Sequence, residues 1–292
     1  MDWYFLGEAP FPLWSFAVFW VCLAAFAGLE FFIPQRTASE REGRWPTNFS
    51  LGAVNMAIVP LVPVSAVLAA QWAHSRGVGV LNTLDMTGAW WWIVVPTATI
   101  VIRSLANYLA HFAFHKIPVL WRLHRVHHFD TTLDISTGVR THPTELVVAL
   151  LIAAPVSIAF GLHPATLIFY ETVDSAFSLF SHANIRLPPR LDSLLRLVIV
   201  TPGLHAVHHS CCREQTDSNY GTVFTTWDRI FGTYCELEKD RQPFEIGLSE
   251  VRDQRASSFW WQMKSPLLQI VAPTSGLSSI KSSPSKSETA KC

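Results

Sequence analysis

His111-Phe-Ala-Phe-His115, eight residues of spacer, then His124-Arg-Val-His127-His128 is the stretch that decides the fold of this chain. The second pattern returns downstream as His205-Ala-Val-His208-His209, with the same spacing and the same valine. On a helix of 3.6 residues per turn, positions i and i+4 share a face, as do i, i+3 and i+4. Each box therefore aims two or three imidazoles at one point. Neutral imidazole suits iron, zinc, copper and nickel. Of the 12 histidines in 292 residues, eight stand in these three boxes. A haem takes one or two axial ligands and a structural zinc site four, so this many imidazoles imply two metals.

Composition sets the surroundings of that site. Half of the residues are hydrophobic, 15% are charged and the mean hydropathy is positive at +0.26, high for a soluble domain. The 22 basic residues balance 22 acidic ones, so no nucleic-acid partner is expected. Twelve Trp and 19 Phe fit the aromatic belts of a membrane protein. The cysteines Cys22, Cys211, Cys212, Cys235 and Cys292 form no spaced framework and read as reduced thiols. The N-terminus lacks a basic region of the kind that opens a cleaved signal peptide.

Outward from the boxes, the expected fold is all-α: a polytopic membrane helix bundle of about four spans capped by a histidine-rich helical region. Phe11 to Ile33 and Leu51 to Trp72 each approach the roughly 20 apolar residues that a span needs. Pro60 and Pro63 are tolerable in the second inside a bundle. A third run opens at Trp90-Trp91-Trp92 and ends at His115, with Arg103, Asn107, His111 and His115 along one stripe. A polar stripe in a membrane helix is expensive and faces a functional interior. Leu146 to Phe160 and Ala165 to Phe180 form a short hairpin, whose returning arm carries Glu171, Asp174, Ser178 and His182 on one face. The resulting divisions are 1–94 for the N-terminal membrane helices, 95–240 for the histidine-box region, 241–272 for a C-terminal segment and 273–292 for a Ser- and Lys-rich disordered tail.

With these spans, Arg36, Arg41 and Arg44 lie on the same side as Lys116, Arg122, Arg125, Arg140, Arg186, Arg190 and Arg196. Positive charge marks the cytoplasmic side, which puts the metal site at the cytoplasmic face. His74 and His163 fall at the far face, as structural residues. With no retrieval signal at the end of the tail, the plasma (inner) membrane is favoured over the endoplasmic reticulum.

At this point the chain resembles the fatty acid hydroxylase/sterol desaturase superfamily of membrane oxygenases. The resemblance rests on the three boxes, on Arg140-Thr-His142-Pro143-Thr-Glu145, on Ser181-His182-Ala-Asn184, on Asp217-Ser-Asn219-Tyr220-Gly221 and on Trp227-Asp228-Arg229-Ile-Phe231-Gly232-Thr233. It implies two iron ions, replaceable by zinc during purification, and O2-dependent attack on an unactivated C–H bond of a lipid drawn from the bilayer. Hydroxylation is favoured over desaturation. The implied metal ligands are His111, His115, His124, His127, His128, His205, His208 and His209, with His182 and His142 added. Some members carry histidine where Ser178 stands, and His142 is the candidate to fill that place. No cytochrome b5 haem motif is present, so electrons are expected from a separate donor: a ferredoxin, a cytochrome b5 or a reductase. Asp130, Asp134, Glu145, Asp174, Asp217 and Asp228 are expected orienters of the imidazoles, with Asn107 balanced between that role and helix packing. Phe112, Phe114, Phe177 and Phe180 line the lipid path or simply pack. Two other classes share the boxes: a di-zinc membrane hydrolase, which would favour carboxylate ligands, and a non-catalytic metal-binding membrane protein, whose ligands would lie near mid-bilayer.

Overall fold

A computed structural model describes residues 12–37, 43–84, 88–236 and 245–270. Among them the chain is helical without strands, apart from three isolated β-bridges. The helices are α1 Leu13–Phe32, α2 Arg44–Ile58, α3 Ala66–Ser75, α4 Ala89–Lys116, α5 Pro118–His128, α6 Pro143–Phe160, α7 Pro164–His182, α8 Pro189–Leu195, α9 Pro202–His208, α10 Arg213–Thr216, α11 Thr226–Phe231 and α12 Phe259–Lys264. Among the described residues four stretches are long and apolar enough to cross a membrane: α1, the run Arg44–Thr83, α4 and α6.

The second of these differs from the expected span. The helix begins at Arg44, seven residues before the predicted Leu51, and breaks after Ile58 at a 3-10 turn through Val59–Leu61. Pro60 and Pro63 supply no backbone N–H, and each ring crowds the preceding turn, so the helix stops and restarts on the Ser65 cap, whose hydroxyl accepts from Leu68 N at 3.0 Å. The restarted α3 packs Ala66, Val67 and Ala70 against Ala153 of α6 and Leu167 and Ile168 of α7. Small side chains let these backbones approach closely. Beside them the α6–α7 turn closes on Gly79, where a Cβ would stand 2.3 Å from Gly161 N. Gly161 itself ends α6 in the left-handed conformation, as a C-cap glycine does.

At the opposite end of the bundle the chain ends of α1, α4 and α7 meet the starts of α2, α5 and α6. Glu30, buried in otherwise apolar α1, accepts from the backbone N–H of Ile135 at 2.7 Å and of Asn184 at 2.6 Å. Arg44 at the head of α2 reaches Asp130 after α5, with Nε donating to Oδ1 at 2.5 Å and Nη2 to Oδ2 at 2.8 Å. Its Nη1 donates to Asp134 at 3.0 Å. Three of the basic residues used to orient the chain, Arg44, Arg125 and Arg140, are buried; Arg41 lies outside the described residues. The C-terminal segment seals this end, packing Leu248, Val251, Ala256 and Trp261 against Phe129 and Trp121. Cys22, Cys211 and Cys212 are free thiols, as expected. Cys292 and the predicted disordered tail lie outside the described residues.

Candidate metal centre

Nine histidines converge at that end in two groups. His111, His115, His124, His128 and His208 form one, and His127, His182, His205 and His209 the other; within each, the candidate donor atoms lie within 4.8 Å of one another. Helix geometry explains the division. On α5, His124 and His128 share a face and enter the first group, while His127, turned by one residue from His128, enters the second. On α9 the assignment reverses: His205 and its i+4 partner His209, at the helix C-cap, join the second group and His208 the first. His111 and His115 come from the last turns of α4, and His182 from the end of α7.

What stands behind six of the nine rings fixes their tautomers. His111 Nδ1 lies 2.8 Å from the Tyr220 carbonyl, His208 Nδ1 2.7 Å from that of Ser218, His127 Nδ1 3.0 Å from that of Arg140, and His182 Nδ1 2.6 Å from that of Ser178. His124 Nδ1 lies 2.6 Å from Glu145 Oε1, and His115 Nδ1 3.4 Å from Asp217 Oδ1. A carbonyl or carboxylate can only accept, so each of these Nδ1 atoms carries the proton and each Nε2 is a bare lone pair. Those bare atoms face one another: His111 Nε2 and His124 Nε2 are 3.1 Å apart, and His127 Nε2 and His182 Nε2 are 3.0 Å apart. Two acceptors at that distance repel unless a cation lies between them. The Nε2 atoms of His115 and His208 are likewise buried without a hydrogen-bond partner. A nitrogen-only donor set of this kind fits iron, zinc or copper.

Electrostatics keep the rings in the binding form. Burial, reinforced by the neighbouring histidines, holds His127, His128, His205 and His209 well below the usual imidazole range. Burial pushes His208 down to about 3. The rings therefore stay neutral at physiological pH, as metal ligands must.

A buried polar layer holds α5 in place. Arg140, 0% exposed, donates from Nε to the Val126 carbonyl at 2.7 Å, from Nη1 to Asn48 Oδ1 at 2.6 Å and from Nη2 to the Ala256 carbonyl at 2.8 Å. Burial would raise the Asp130 carboxyl, but Arg44 and Arg140 more than offset it, so the group lies below its ordinary range. Asn219 is the one non-glycine residue among those described with a positive φ, at 52°. This left-handed residue lies between Ser218 and Tyr220, the two carbonyls that receive His208 and His111, and its side chain is clamped by the Cys235 backbone. These anchors are backbone groups and carry no side-chain signature, so sequence inspection passes over them.

Several expectations require correction. His142 enters neither group. Its Nδ1 accepts from Thr144 N at 3.2 Å, capping α6, and its Nε2 lies 3.2 Å from the Met263 carbonyl. Position 178 contributes its carbonyl to His182 and no ring, so nothing fills the place that His142 was expected to take. Of the six acids, only Glu145 and Asp217 reach an imidazole. Asp130 and Asp134 pair with Arg44, because a buried guanidinium needs them more than a neutral ring does. Asp174 takes the Thr222 hydroxyl at 2.6 Å, and Asp228 accepts from Tyr220 N and Gly221 N at 2.8 Å each. Asn107 bonds Arg103 and touches no histidine. Phe114 is buried against His124, Phe112 packs on Tyr220, and Phe180 packs on Phe26 and Phe177. His74 and His163 meet at the far end with ring centroids 6.1 Å apart.

Residues 96–233, which hold every histidine of both groups, match the sequence profile of the fatty acid hydroxylase family. Three relatives show the range of the fatty acid hydroxylase likeness. Alkylglycerol monooxygenase of Caenorhabditis elegans is 30% identical over 56% of this chain and 31% of its own length. Ornithine lipid hydroxylase OlsE of Rhizobium tropici is 27% identical over 46% of this chain and 40% of its own. Cholesterol 25-hydroxylase-like protein of Danio rerio is 29% identical over 47% of this chain and 53% of its own. The chain thus spans between a third and about half of the curated relatives it matches. No solved structure matches the chain.

Proposed function

We propose that this chain is a membrane-bound di-iron oxygenase that hydroxylates an unactivated C–H position of a lipid. One observation carries the reading: in each histidine group, bare imidazole nitrogens whose protons are committed elsewhere face one another at 3.0 to 3.1 Å in a buried site. The overall change consumes O2, two electrons and two protons, converts C–H to C–OH and releases one water; the electrons come from a separate donor protein or reductase. The ligands are His111, His115, His124, His128 and His208 for one metal, and His127, His182, His205 and His209 for the other. Two irons held there supply the O2 activation that imidazole and carboxylate side chains lack. The protein holds the nitrogens neutral, fixes six of the nine rings through Nδ1 and keeps bulk water from the site. Glu145 and Asp217 place negative charge behind His124 and His115, which raises ligand basicity and offsets the charge of the ions.

Hydroxylation is favoured over desaturation because the relatives' names are those of monooxygenases and hydroxylases. A di-zinc hydrolase gains no support: the carboxylates here accept imidazole protons from behind. We place the centre at the cytoplasmic face of a plasma membrane, since Arg36, Lys116, Arg122, Arg186, Arg190 and Arg196 still lie at that end once the buried arginines are set aside. The test is iron content together with O2 uptake on a lipid extract, with a ferredoxin or cytochrome b5 system as donor. Mass spectrometry should find a product heavier by one oxygen. A folded, iron-loaded protein that consumes no O2 under these conditions sinks the proposal.

A further inference from the structure

We infer that the polar cluster between α4 and α7 seats the polar end of the lipid substrate, and that this end is a hydrogen-bond donor, a hydroxyl or an amine. The inference rests on the oxygenase reading for the word substrate; the binding site itself stands on its own geometry. Arg103 Nε donates to Glu171 Oε1 at 2.6 Å and its Nη1 donates to Asn107 Oδ1. Beside Asn107 stands Asp174, whose Oδ1 takes the Thr222 hydroxyl at 2.6 Å.

Two carboxylates thus face one guanidinium, and the cluster has acceptors to spare. Tyr170 supplies the second observation. It is 2% exposed and has Asp174, Arg103, Glu171 and Thr222 as polar neighbours, yet its hydroxyl makes no hydrogen bond. A buried hydroxyl left unsatisfied amid charged groups points to a missing partner. Glu171 remains 24% exposed, which leaves a way in. Arg103 sits thirteen residues before the Lys116 end of the span, roughly 20 Å of helix, where a charged side chain facing hydrocarbon is expensive. Helix packing alone would call for balanced charge and no spare hydroxyl.

Position then selects the substrate. His111 follows Asn107 by four residues and Arg103 by eight, and His182 follows Asp174 by eight, so the metal groups stand ~6–12 Å along the helices from the cluster. The ligand is an elongated amphiphile that enters polar end first and presents a C–H some 6–12 Å from that end.

The probes are 1-hexadecanol against 1-methoxyhexadecane, a sterol against its 3-methyl ether, and hexadecylamine. Each is bound to the full chain in nanodiscs without O2 or donor. At least one donor probe should bind about tenfold tighter than its capped or donor-free counterpart, the size of one well-made hydrogen bond. Tyr170→Phe deletes a hydroxyl that no protein group uses; it should reduce that preference while metal content and unfolding temperature stay at wild-type values. Glu171→Gln should reduce it independently. Equal binding of donor and capped probes, or a preference unmoved in both variants, overturns the inference. A clear preference in a protein that consumes no O2 would sink the oxygenase reading and leave this site standing.

Discussion

The two histidine groups are built from the same spacing motif and differ in what stands behind their rings. The first has five imidazoles, two of them backed by the carboxylates Glu145 and Asp217. The second has four, anchored where an anchor is present by the carbonyls of Arg140 and Ser178. Its nearest charges, Asp130, Asp134, Arg44 and Arg140, compensate one another. A carboxylate lends net negative charge to a dication, whereas a carbonyl lends only a dipole. The four-nitrogen group is therefore the weaker holder, and the five-nitrogen group has a ring to spare.

Removing rings tests this most severely. His182→Ala leaves the second group with three nitrogens and should empty it, halving metal content and lowering turnover at least ~100-fold. His128→Ala leaves four in the first group and should retain more metal; equal losses in the two variants would erase the asymmetry. Next in size, Glu145→Gln keeps an acceptor behind His124 but removes its charge, and should cost about 10–100-fold in metal affinity or activity. Asp217→Asn should cost less, because its contact to His115 is longer, at 3.4 Å, and it already serves Lys116 and Arg213. Ser178→His, one turn before His182, should narrow the difference between the groups and slow metal loss to a chelator severalfold. Smallest of all, His142→Asn preserves an α6 cap; metal content should not change and stability should fall by no more than ~1 kcal/mol by thermal denaturation.

The boxes and the apolar runs were readable because periodicity is a property of the sequence itself. The i, i+3, i+4 pattern supplied eight of the nine rings that converge, and the family resemblance added His182. His142 failed for a reason also written in the chain: His142-Pro143 duplicates His163-Pro164, and both open apolar helices as an N-cap followed by proline at the first position. The partners of the acids were not readable, because Arg44 and Asn48 belong to a helix some ninety positions away and choose Asp130 by tertiary geometry. Likewise the carbonyls of Arg140, Ser178, Ser218 and Tyr220 supply four of the six Nδ1 anchors, and every residue type has one.

The crossed allotment of α5 and α9 has one more consequence. Because each of these helices sends rings into both groups, neither can tilt to relax one pocket without deforming the other. Filling either pocket stiffens the pair of helices that frames its neighbour. An ion seated in the five-nitrogen group should consequently tighten binding in the four-nitrogen group, which a titration of the metal-free protein would register as positive cooperativity.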